Sequence, residues 1–162
     1  MFDPEILTLA QAVLEACRAR NWRIATAESC TGGLVAGALT AIAGSSDVVE
    51  RGFVTYSNEA KAELLGVRPE IIAAHGAVSA ETAAAMAQGA VARAPVDLAI
   101  SVTGIAGPGG GAVKPVGFVL FGLARRDGKC RIERRLFDGD RSAVRQAALQ
   151  VALGLLNAEA RS

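Results

Sequence analysis

Three side chains that can carry nucleophilic chemistry, Ser29, Cys30 and Thr31, stand together in the run Ala27-Glu-Ser-Cys-Thr-Gly-Gly33. A β-type run over 22–27 precedes them, and Leu34, Val35, Ala38, Leu39 and Ile42 follow at helical spacing. The pattern predicts a strand, a tight turn and a helix over about 31–43. At such a junction the first helix amides are unpaired, so a hydroxyl or thiol lies beside donors that stabilise negative charge. The same residue types also serve as helix N-caps, and Gly32 and Gly33 supply the backbone freedom of a turn. This stretch alone leaves both readings open.

A second group with chemical potential follows the predicted strand at 50–56. Ser57 or Asn58 caps a short helix over 57–66, which puts Lys61 one turn in while Tyr56 ends the strand. Tyr56, Ser57, Asn58 and Lys61 can then all face one point beyond the strand's carboxyl end, where open α/β sheets bind ligands. An ordinary solvated helix lysine is the competing reading. A third group is the glycine loop from Thr103 through Gly104 and Gly107 to Gly111, rich in amides able to hold a phosphate or an oxyanion. Its Gly107-x-Gly109-x-x-Ala112 spacing matches a dinucleotide fingerprint only formally, because Lys114, Pro115 and a strand follow where a helix is required. Arg141 and Arg145, four apart in the first turns of the last helix, form an anion grip or a solvated face. Their charge does not complement the helix dipole there, which favours a ligand.

Bulk properties narrow the classes. The 162 residues fit one domain over 1–162 with a sizeable core. Seventeen basic against sixteen acidic residues give a net charge of +1, which argues against a nucleic-acid-binding surface. No apolar run approaches a membrane span, and the acidic start at Asp3 and Glu5 is unlike a secretory leader, so a cytoplasmic location is expected. Cys17, Cys30 and Cys130 lack Cys-x-x-Cys spacing, and His75 is the only histidine, so neither a disulfide framework nor a metal site is expected. His75, a loop residue before glycine, reads as a turn residue.

The remaining elements must position these groups. Asp3, Pro4 and Glu5 start a helix that runs to about Arg20. Arg68 and Pro69 start a short helix ending near His75, and Ser79 caps an alanine-rich helix to about Arg93, suited to close approach to a sheet or another subunit. Strands are expected over 97–102, 115–124 and 129–137, the last as an edge, joined by an Asp127-Gly128 hairpin signal. Asp140 caps a final helix to about 158 with Val144, Ala148, Val151 and Leu155 on its apolar face. The fold class is α/β: a single three-layer domain with a mixed β-sheet flanked by helices.

Six ordered motifs carry a resemblance that spans nearly the whole chain: Ala27-Glu-Ser-Cys-Thr-Gly-Gly33, the run from Arg51 to Lys61, His75-Gly-Ala-Val-Ser79, Thr103-Gly-Ile-Ala-Gly-Pro108, Lys114-Pro-Val-Gly117 and Gly139-Asp-Arg141. The chain closely resembles the C-terminal domain of the competence/damage-inducible CinA family. It looks like the single-domain form, without the molybdopterin-binding-like region of longer members. Stand-alone, PncC-type members are nicotinamide mononucleotide deamidases of pyridine-nucleotide salvage, usually homo-oligomeric and needing no metal or cofactor. The resemblance implies hydrolysis of the carboxamide of that pyridine mononucleotide, with Ser29 as nucleophile and Lys61 as base. Tyr56 then orients Lys61 or stacks on the ring. Cys30, Thr31 and Gly104 offer oxyanion amides, while Gly32, Gly33, Asn58, Thr103, Gly107, Arg141 and Arg145 line the substrate. Alternatives stay open: Cys30 as nucleophile, a different amide substrate, or a non-catalytic nucleotide-binding or assembly module linked to competence or DNA damage.

Overall fold

The computed structural model describes residues 1–110 and 113–162; Gly111, and Ala112 of the rejected fingerprint, lie outside them. The chain runs α1 (Pro4–Ala19), β1 (Ile24–Glu28), α2 (Leu34–Thr40), a 3-10 turn at Ser45–Asp47, β2 (Val49–Val54), α3 (Asn58–Leu65), α4 (Pro69–His75), α5 (Ala80–Arg93), β3 (Leu98–Gly104), β4 (Phe118–Arg125), β5 (Cys130–Leu136) and α6 (Arg141–Arg161). The order of helices and strands is the expected one.

One five-stranded sheet has the order β2-β1-β3-β4-β5. β1 pairs in parallel with both β2 and β3, and β3, β4 and β5 pair antiparallel, so the sheet is mixed and β5 is an edge. Alternate side chains of β1 enter two cores. Ile24 joins α1, α2 and α6 on one face, with Ile6, Val13, Leu39, Val144 and Leu153. Ala25 and Ala27 join α3 and α5 on the other, with Leu65 and Met86. The alanines of α5 serve close approach to the sheet: Ser101 donates to the Ala83 carbonyl at 2.6 Å and accepts from the Gly122 amide at 3.1 Å. Gly89 lets α5 press on the end of α3, since a Cβ there would stand 1.9 Å from the Leu65 carbonyl oxygen.

Several boundaries differ from expectation for physical reasons. The strand begins at Ile24, and the guanidiniums of Arg20 and Arg125 lie over the Trp22 ring, 3.9 and 4.9 Å from its centroid. Asp3 holds the cap position of α1 without capping it; its carboxylate accepts from Gln146 at 3.2 Å. Thr103 and Gly104 still pair with β4, so the glycine loop begins after them. α6 extends to Arg161, and its buried stripe includes Leu149, Ala152, Leu153 and Leu156, leaving Val151 and Leu155 half-buried. Ser57, Ser79 and Asp140 cap α3, α5 and α6 as read, accepting from Ala60, Thr82 and Ala143.

Candidate active site

The carboxyl ends of the three parallel strands converge on one pocket. Ser29 follows β1, Thr55 and Tyr56 follow β2, and Thr103 and Gly104 end β3. A cavity of about 230 Å³ there is lined by Ser29, Cys30, Tyr56, Asn58, Lys61, Thr103, Gly104 and Arg141, with Ala77, Val78 and Ala106. Ala106 and Arg141 are shared with an adjoining cavity of about 530 Å³, bounded by Gly107, Pro108, Gly109 and the start of α6.

Lys61 is the central departure from an ordinary helix lysine: it is 1% exposed. Its Nζ donates to Thr55 O at 2.9 Å and Tyr56 O at 3.4 Å, and lies 3.1 Å from Ser29 Oγ. Among the described residues no carboxylate forms an ion pair with it. Burial holds its pKa below the ordinary 10.5, and a nearby Cys30 thiolate would act in the opposite sense. A neutral amine has two N–H groups and one lone pair. As placed, Nζ donates to both carbonyls and to Ser29 Oγ; deprotonation would free the lone pair to accept from the Ser29 hydroxyl instead.

The turn that carries Ser29 is built differently from expectation. α2 starts at Leu34, because Gly32 and Gly33 take left-handed conformations with φ of 60° and 102°. No Ser or Thr caps it. Glu28, fully buried, accepts from the amides of Gly33 (3.1 Å), Val35 (3.1 Å) and Ala36 (2.9 Å). The helix end next to Ser29 is thus already filled by a carboxylate of this chain. The amides of Cys30 and Thr31, immediately after Ser29, donate to no protein acceptor among the described residues, and they are the turn's free donors.

The expected residues divide accordingly. Gly32, Gly33, Thr31 and Arg145 lie off the pocket that holds Ser29. Gly33 gives its amide to Glu28, and Arg145 donates to Cys30 O at 3.1 Å and Thr31 O at 3.3 Å, bracing the turn. Thr31 is buried with its hydroxyl unpartnered. Gly107 lines the adjoining cavity and accepts from Arg141 at 2.8 Å, while the other arm of Arg141 donates to the Tyr56 hydroxyl at 2.7 Å. Tyr56 meets Lys61 through its backbone carbonyl, and its ring stands 60% exposed at the rim. Thr103 donates to Ala77 O at 2.8 Å and fastens the loop before α5. Burial raises the Cys30 thiol to about 11, so the easily ionised thiol expected at a helix start is instead held protonated at neutral pH. His75 stays outside the pocket, 3.7 Å from Glu81. Sequence reasoning missed Glu28 and the Thr55 carbonyl. A carboxylate just before a turn was the signal for the first; a backbone carbonyl leaves none. Among the described residues no group of three His, Cys, Asp or Glu side chains is arranged to hold a metal.

Comparison with known proteins places this geometry in context. The model of the CinA C-terminal domain matches residues 6–160. A protein of Escherichia coli strain K12 named nicotinamide-nucleotide amidohydrolase PncC is 52% identical over 157 residues, 96% of this chain and 95% of that one. A CinA-like protein of Syntrophobacter fumaroxidans is 52% identical over 91% of this chain, which spans 35% of its length. The crystal structure of the competence/damage inducible protein CihA from Agrobacterium tumefaciens matches with a TM-score of 0.93 at 48% identity, covering 98% of this chain and 97% of that one.

Proposed function

This chain belongs to the CinA C-terminal domain family, and from that premise we propose that it is an amidohydrolase converting nicotinamide mononucleotide and water to nicotinate mononucleotide and ammonia. The observation that carries the mechanism is a buried lysine amine, free of any carboxylate, 3.1 Å from a serine hydroxyl. Nicotinamide-nucleotide amidohydrolase relatives at 52% identity supply the substrate class.

In this reading Ser29 Oγ attacks the carboxamide carbon as its proton passes to the lone pair of Lys61 Nζ. The carbonyl electron pair moves onto oxygen, where the Cys30 amide at the pocket wall stabilises it. Collapse breaks the C–N bond, and Lys61 returns the proton to the departing nitrogen, releasing ammonia and leaving an ester on Ser29. Water then attacks this ester while Lys61 takes one of its protons. Cleavage of the C–Oγ bond restores the hydroxyl and gives the carboxylic acid. The pyridine ring occupies the smaller cavity, and the ribose phosphate extends past Arg141 into the larger one. A cytoplasmic homo-oligomer belongs to the same reading. Among the described residues no helix is long and apolar enough to cross a membrane, and Val54 and Leu64 expose apolar surface for a subunit contact.

The test is ammonia release from nicotinamide mononucleotide by wild type, Ser29→Ala and Lys61→Ala. Both variants are expected to retain their fold and lose at least about a hundredfold in kcat. Tight nucleotide binding without turnover by the wild type would favour the binding-module alternative instead.

A further inference from the structure

We propose that Glu28 is the positioning residue of the turn over 29–33: by filling the amide end of α2, its buried carboxylate aims Ser29 at Lys61 and withholds that end from the neighbouring Cys30 thiol. The inference rests on the reading of Ser29 as nucleophile and adds why the oxygen rather than the adjacent sulfur is used.

Glu28 and Ser29 are consecutive at the end of a strand, so their side chains leave on opposite faces. Glu28 reaches toward α2 and Ser29 toward Lys61 on α3. The carboxylate binds three amides drawn from both sides of the α2 start, Gly33, Val35 and Ala36. It is fully buried and forms no ion pair among the described residues, so those amides are what balances its charge. The other end of the turn is fixed by the Ser29 amide donating to Val102 O at 2.9 Å, and Arg145 holds its middle. Ser29 therefore has little freedom in either direction.

The charge has a second consequence. Cys30 is 6% exposed and follows Ser29 directly. Burial is the largest influence on its thiol and favours the protonated form. Among charged groups Glu28 on β1 acts in the same sense, while Arg145 on α6 and Lys61 on α3 act against it. Without Glu28 the thiol would lose the carboxylate that opposes its ionisation and keep the Arg145 guanidinium that favours it, a setting closer to that of activated cysteines. An isosteric amide in place of the carboxylate also has one acceptor oxygen for three donors, which loosens the turn.

Alkylation of Cys30 by iodoacetamide, read by peptide mass spectrometry against pH, tests the assignment without needing turnover. In the wild type, labelling is expected to rise only above about pH 10, in line with a thiol at about 11. A plateau already reached below about pH 8 would overturn it. In folded Glu28→Gln the midpoint should move down by about half a unit to one unit, so labelling at pH 8 quickens about three- to tenfold. The kcat for nicotinamide mononucleotide should fall at least about tenfold with KM within about threefold, the signature of a misplaced nucleophile rather than lost binding. An unchanged labelling profile in that variant refutes the proposal. Glu28→Asp keeps the charge but shortens the reach, so it should retain the wild-type labelling profile and still lose kcat; labelling as fast as in Glu28→Gln counts against the charge argument. If Glu28→Gln does not fold, the wild-type and Glu28→Asp profiles decide. An inactive wild type whose Cys30 still labels as expected in all three proteins would remove the deamidase reading, and with it the positioning of a nucleophile, while leaving the effect of Glu28 on Cys30.

Discussion

Replacing Lys61 with Met separates the lysine's charge state from its shape, and the structure fixes the sign of the result. The side chain is 1% exposed, its polar neighbours are two carbonyls and a hydroxyl, and burial lowers its pKa from 10.5. The folded protein thus binds fewer protons at this site than the unfolded chain between the lowered pKa and 10.5. Unfolding free energy must rise with pH across that window, by up to about 1.36 kcal/mol per pH unit from this one group. Below the lowered pKa both states are protonated and the contribution is flat. Met has similar length and no proton to exchange, so the variant lacks this slope. It leaves the Thr55 and Tyr56 carbonyls without their donor, at about 1–3 kcal/mol each, and in return removes the cost of uncharging a buried amine. Urea unfolding of both proteins at intervals from pH 6 to 10 should show wild type gaining on Lys61→Met as pH rises. Over the same range wild-type kcat/KM should drop about tenfold per pH unit below the lowered pKa, and the variant should lose about 10²–10⁴ in rate throughout. Parallel stability curves would mean that Lys61 titrates as it does in water and is charged at neutral pH, and the base assignment would fall with them.

Two further changes probe the framework and the substrate. Gly89→Ala drives a Cβ to within 1.9 Å of the Leu65 carbonyl oxygen, a backbone clash that must push α5 from the end of α3; a loss of about 2–4 kcal/mol in urea unfolding is expected, and a neutral effect would contradict the packing. Arg141→Ala removes the guanidinium shared by the two cavities; KM for nicotinamide mononucleotide should rise about 10- to 100-fold with kcat within about threefold, while nicotinamide riboside, which lacks the phosphate, should be hydrolysed as before. Equal losses on both substrates would place Arg141 in the chemistry rather than at the phosphate.

The elements were legible because each carries local signals: Ser57 and Ser79 before their helices, Gly66 after α3, and Asp127-Gly128 between β4 and β5. The conversion of Lys61 from a solvated to a buried amine was not, because its partners come from the ends of two different strands, Ser29 after β1 and Thr55 and Tyr56 after β2, and the Ser29 contact joins residues far apart in the chain. Arg145 shows the same limit. At a helix start it reads as an anion grip, yet its partners, the carbonyls of Cys30 and Thr31, lie more than a hundred residues earlier. The α2 start was misplaced because Gly32 and Gly33 look compatible with an early helix, whereas their positive φ values turn the chain first and let Glu28 reach the amides a hydroxyl was expected to cap.

The division of β1 between two faces also keeps a carboxylate apart from a lysine of lowered pKa around one serine. A carboxylate in contact with Lys61 would stabilise the ammonium and raise its pKa, removing the lone pair that the proposed base role requires. Strand parity prevents this. Ala25, Ala27 and Ser29 point toward the face of α3 and α5, and Ile24, Thr26 and Glu28 toward α2. Glu28 satisfies its charge on backbone amides there and forms no ion pair with Lys61. A one-residue slip of β1 would exchange these faces, seating a carboxylate opposite the lysine and a hydroxyl beneath α2. The register of β1 against β2 and β3, Glu28 opposite Val54 and Val102, is therefore itself a requirement of the proposed Ser29–Lys61 chemistry.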